Sequence, residues 1–196
     1  MDEQLKSLQN AVPLDPLQRF ALAYCPARAR DHWRGLFALE TRLADAARAG
    51  REPIAVQMRL AWWRDRFASP ARTWPAGEPL LALLEAWERE RAALGLLVDG
   101  WEAASVGEDG GAELRAARVE AMVALARLLD CEDEDAVRAA AKGWTEPGRG
   151  EALPVLPRVM RPLAVLRGLA VREARAGKRR PFGDLFAGMR IGLTGR

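Results

Sequence analysis

Gln57-Met58-Arg59-Leu60-Ala61-Trp62-Trp63-Arg64-Asp65 decides the class of this fold. Seven tryptophans are many for 196 residues, and two of them are adjacent here. Pro53 sits just upstream, where a proline suits a first helical turn. From there Ile54, Met58, Ala61 and Trp62 follow the spacing of one helical face. Val56, Leu60, Trp63 and Phe67 form a second apolar stripe. A helix apolar on two faces is expected to lie between neighbours, so the segment reads as a central core helix.

Working outward, the same period recurs and no strand pattern interrupts it. Ala, Leu, Arg and Glu dominate, and no stretch combines alternation with β-branched richness. Asp15-Pro16 opens a helix to about Tyr24. Pro26 opens the next, which runs to about Ala49 and stops at Gly50. After the double-tryptophan helix, residues 69–77 hold breakers, and one long helix is expected from about Pro79 to Ser105. Its inward positions are Leu80, Leu83, Leu84, Trp87, Leu94 and Val98. Further helices follow over about 112–129, from the 130–135 acidic run to about Trp144, and over 157–176 and 181–193. The chain thus reads as all-α, about eight helices in one domain over residues 1–196.

Several chemistries are excluded on residue types. His32 is the only histidine, which removes HExxH zinc sites and leaves little room for Ser-His or Cys-His catalysis. Cys25 and Cys131 lie far apart and give no CxxC spacing. Gly-rich phosphate loops and the nucleophile-elbow motif are missing. Asp130-Cys131-Glu132-Asp133-Glu134-Asp135 stands at a helix start, where carboxylates complement the dipole, so it reads as helix-start chemistry before a metal site.

Charge is uneven. Residues 158–196 hold ten Lys/Arg against Glu173 and Asp184, a balance of +8, while the rest carries 20 basic and 25 acidic residues. Arg175, Lys178, Arg179 and Arg180 are the candidate anion-binding residues. They suit an anionic membrane surface, and lack the interleaved aromatics of a specific nucleic-acid site. The first six residues show no secretory pattern, and no apolar run approaches the ~18 residues of a membrane span. The expected location is cytoplasmic, with peripheral contact at the inner membrane left open.

Some of these residues carry a resemblance. Arg19-Phe20-Ala21-Leu22-Ala23-Tyr24, Pro26-Ala27-Arg28-Ala29-Arg30, Leu36-Phe37-Ala38-Leu39 and the QMRLAWWRD stretch after Arg51-Glu52-Pro53 resemble the squalene/phytoene synthase family. The match covers roughly residues 15–67, with a weaker echo at 156–163. The resemblance implies a helical bundle of the isoprenoid-synthase type, here truncated. It also implies an activity, the head-to-head joining of two prenyl diphosphates. In that family Mg²⁺ holds the departing diphosphate, and acids from two motifs on facing helices hold the Mg²⁺.

Those acids are largely replaced here. In the window Glu40-Thr41-Arg42-Leu43-Ala44-Asp45-Ala46-Ala47-Arg48, Ala44 takes the first acidic position and Arg48 the last. Asp45 is the weak candidate metal ligand, and Glu40 with Asp45 the weak candidate catalytic pair. Five residues separate them, so their side chains diverge around the helix. The second window, Ala140 to Glu146, holds no acid pair. The first reading is therefore a non-catalytic binding or assembly protein with no cofactor, working on a protein partner or an anionic membrane. The alternative is an active prenyltransferase with rearranged ligands, drawing on Glu40, Asp45 and the 130–135 acids, with Mg²⁺ and a prenyl diphosphate. A basic helical adaptor acting through residues 172–180 is the third.

Overall fold

The computed structural model describes residues 13–48, 52–107, 109–148, 155–177 and 181–195. All regular structure among them is helical. Helix α1 spans Pro16–Leu22, α2 Ala27–Ala46 and α3 Pro53–Ala68. A short 3-10 turn at Ala71–Thr73 precedes α4, Pro79–Leu84. Then come α5 (Arg91–Val106), α6 (Ala112–Leu128), α7 (Glu134–Thr145), α8 (Arg161–Ala176) and α9 (Pro181–Thr194). No described helix is long and apolar enough to cross a membrane.

The punctuation follows the expected chemistry. Pro53 and Pro79 sit in first turns, where their missing N–H costs no helical bond. Glu78 caps α4 by accepting from the Leu80 N–H at 3.2 Å. Helix α5 ends on Gly107 and α8 on Gly177, both left-handed with φ of 78° and 67°. One boundary differs from expectation. The helix anticipated from Pro79 to Ser105 is wound as a 3-10 segment over Glu85–Glu90. There the Trp87 Nε1 donates to the His32 carbonyl at 3.3 Å, and Glu88 accepts from the Ala71 N–H at 2.9 Å. These tertiary bonds hold the tighter winding that a local period does not foresee.

The chain forms two compact units, Met1–Asp15 with Asp31–Ala117, and Pro16–Arg30 with Arg118–Arg196. In the first, α3 packs on α5. Val56, Leu60, Trp63 and Phe67 are buried. Arg64 bridges the two helices, bonding Asp99 at 2.7 Å and also Glu102. Trp63 stacks on Phe67 at 5.7 Å, and Phe67 meets Trp74 edge-on at 5.8 Å. The Trp74 Nε1 donates to the Arg66 carbonyl at 2.6 Å, closing the end of α3.

The first apolar stripe of α3, that of Ile54, Met58 and Trp62, does not go inward. Ile54 is 71% exposed, Met58 70% and Trp62 37%, so the expectation of a helix buried on both faces is corrected. Asp65 falls on the same outer face by helical geometry. A carboxylate there opposes burial, and only one face of α3 meets α5.

In the second unit α8 contacts α7, α9 and α1. Leu163 and Leu166 are buried, while Leu169 and Ala170 are half-buried. Helix α9 lies on α1 through Gly188 and Gly192. A Cβ at either would run into the ring of Phe20 or Tyr24. Glycine is required there by close approach, and the two rings themselves meet edge-on at 5.5 Å.

Candidate functional site

Helix α2 carries both acids that the sequence singles out, and it aims them apart. Glu40 is 8% exposed, the buried charged residue of the described core. Its Oε2 accepts from the Trp101 Nε1 at 3.0 Å, which turns the carboxylate toward α5. Burying a carboxylate is costly unless it is bonded, and the indole supplies such a bond.

Asp45 faces a different space. It pairs with Arg48 at 2.9 Å and lines an open cleft of about 390 Å³. Arg42, Arg59, Trp62, Trp63 and Glu78 line the same cleft. Arg42 approaches Glu78 at 3.7 Å, and that carboxylate also caps α4. Arg66 stacks over the Trp62 ring at 5.6 Å. The cleft thus combines basic and acidic side chains around an indole. Arg48 pairs with the one acid of the Glu40–Arg48 window that lines this space. A guanidinium at that position neutralises the carboxylate that a cation would need.

The acidic run before α7 serves the helix start. Asp133 accepts from the Ala136 N–H at 2.9 Å as the N-cap. Glu134 takes a two-pronged bond from Arg127, both at 3.0 Å, and this guanidinium holds its carboxyl below the usual range. Asp130 is left-handed at φ 52°, and burial pushes the Cys131 thiol upward. Among the described residues, no three His, Cys, Asp or Glu side chains group as a cation site.

The window expected for the second acid motif forms the end of α7. Ala140 and Ala141 are buried, and Arg118 lies over the Trp144 ring at 5.8 Å. Lys142 and Glu146 face a shallow cleft of about 440 Å³ with Asp135, Arg138 and Arg167. Arg138 is committed to Glu120 by two bonds, one of them 3.2 Å long.

Of the four candidate anion-binding residues, Arg175 is exposed on the last turn of α8. Lys178, Arg179 and Arg180 lie outside the described residues. Two surfaces emerge that the sequence reading missed. One is the outer face of α3, read as core. The other is the outer face of α9, where Phe186, Met189 and Leu193 are exposed. Its signal was the spacing of those residues, overshadowed by the basic residues before the helix.

Compared with protein-family models, curated proteins and solved structures, the chain finds no match.

Proposed function

We propose that the chain is a non-catalytic binding or assembly protein on a squalene/phytoene synthase-like helical scaffold. The observation that carries this reading is the fate of the two acids on α2. Glu40 turns to Trp101, and Asp45 turns to Arg48. Holding a diphosphate through Mg²⁺ needs several carboxylate oxygens converging on one cation. Here one carboxylate is bonded to an indole, and the other is neutralised by the arginine at the last motif position. Of the 130–135 acids, which the alternative would recruit, Asp133 caps α7 and Glu134 is held by Arg127. The exposed stripe of Ile54, Met58 and Trp62 beside the Asp45 cleft supports a binding role over a catalytic one.

The test is direct. The protein is incubated with farnesyl or geranylgeranyl diphosphate and Mg²⁺, and extracts are examined for head-to-head product. The expected result is no product and no Mg²⁺-dependent heat on titration with inorganic diphosphate. Product that vanishes in Asp45→Asn would establish the prenyltransferase alternative instead.

A further inference from the structure

The C-terminal helix α9 carries apolar residues on its solvent side as well as on its packed side. At 100° per residue, Asp184, Gly188, Ile191 and Gly192 share the face that packs on α1 and α8. Phe186, Met189 and Leu193 fall on the opposite side. Phe186 is 71% exposed and Leu193 75%, and Leu185 adds to the same margin. Scattered exposed apolar residues are ordinary, but a contiguous row along one helix face marks a docking surface.

Charge selects the occupant. Arg190 flanks the apolar row and is exposed, as is Arg175 on the last turn of α8. Over Arg161–Ala176 and Pro181–Thr194 together there are five arginines against Glu173 and Asp184. The sequence places Lys178, Arg179 and Arg180 between these two helices. A second copy of the same face would bring like charges together. An anionic lipid surface accepts both features, with arginines at the headgroups and the phenylalanine, methionine and leucine below them. Length agrees with this. Fourteen residues make a helix of about 21 Å, too short to span a bilayer and long enough to lie along one.

We propose that the outer face of α9 docks this protein on anionic membrane surfaces, with Phe186, Met189 and Leu193 inserted at the headgroup boundary and Arg190 beside them. The docking is independent of the fate of Glu40 and Asp45, so it stands or falls separately from the loss of diphosphate chemistry.

Sedimentation of the full-length protein with vesicles tests it. One set is phosphatidylcholine alone, the other phosphatidylcholine with phosphatidylglycerol. Binding is expected to the anionic vesicles and not to the neutral ones. It should disappear near molar salt, where screening acts within about 3 Å. Phe186→Ser with Leu193→Ser should weaken binding at least about tenfold, and Arg190→Glu about fivefold. These side chains are exposed, so the far-ultraviolet spectrum and thermal midpoint should stay unchanged. Ile54→Ser with Met58→Ser on α3 should bind like the parent. Equal recovery on neutral vesicles overturns the proposal. So does undiminished binding by the α9 variant, or loss of binding only in the α3 variant. Failure to bind any vesicle also overturns it, and a concentration-dependent dimer under those conditions would identify a second copy as the occupant.

Discussion

The indole of Trp101 donates to the carboxylate of Glu40 across 3.0 Å, joining α5 to α2 through a side chain that is nearly sealed from solvent. Sixty-one positions separate the two residues. The bond gives a residue that stands out as a catalytic candidate in sequence a structural task. Trp101→Phe keeps most of the ring but leaves the carboxylate one donor short. It should destabilise the protein by about 1–3 kcal/mol in urea unfolding. Glu40→Gln retains an acceptor oxygen for the indole and should cost less. An equal loss in both variants would mean that the charge matters more than this bond.

The adjacent tryptophans separate cleanly. Both line the Asp45 cleft, but Trp63 is 6% exposed and stacked on Phe67, whereas Trp62 is 37% exposed. Trp63→Ala should lower stability by about 3–5 kcal/mol, the usual cost of emptying a large aromatic site. Trp62→Ala should cost under about 1 kcal/mol. Chemical denaturation of the two variants side by side checks the ranking.

Two glycines of α5 should respond oppositely to the same change. A Cβ at Gly100 would fall 2.8 Å from the Leu114 Cα, and backbone cannot step aside cheaply. Gly100→Ala should therefore destabilise by about 1–3 kcal/mol despite alanine's better helix propensity. At Gly95 the nearest atom to a new Cβ is the Phe67 Cβ at 4.0 Å, an ordinary contact. Gly95→Ala should raise stability by up to about 1 kcal/mol. Thermal midpoints of the pair report the contrast.

His32 should make the fold sensitive to mild acid. Burial holds its pKa below the ordinary 6.5, with nearby Asp31 acting in the other direction. The unfolded chain then takes up a proton before the folded one does. Stability is full above about pH 6.5 and falls as pH drops toward the lowered folded value. This window lies above that of Glu134, whose lowered carboxyl pKa concerns more strongly acid solution. His32→Gln should flatten the decline that sets in below about pH 6.5 while leaving the steeper acid loss in place. Melting curves across that range measure it.

Most of the helical architecture is legible in the sequence because helix starts and stops are local chemistry. Proline at first turns, Glu78 and Asp133 at caps, and Gly107 and Gly177 at ends act within a few residues of their own positions. The apolar period likewise places Leu80, Leu84, Trp87, Leu94 and Val98 inward, and all are buried. The divergence of Glu40 from Asp45 follows from five-residue spacing alone.

Other features depend on partners distant in sequence. Periodicity marks two apolar stripes on α3 without saying which one α5 would cover, and that choice leaves Ile54, Met58 and Trp62 outside. The 3-10 winding at Glu85–Glu90 depends on the His32 carbonyl and the Ala71 amide. The buried state of Glu40 depends on an indole in another helix. The sequence by itself determined the all-helical character of the described residues, the helix starts and stops, and the basic C-terminal segment. Tertiary packing alone decided which apolar faces stay exposed and which acids are occupied, because burial is a property of the neighbour and not of the residue.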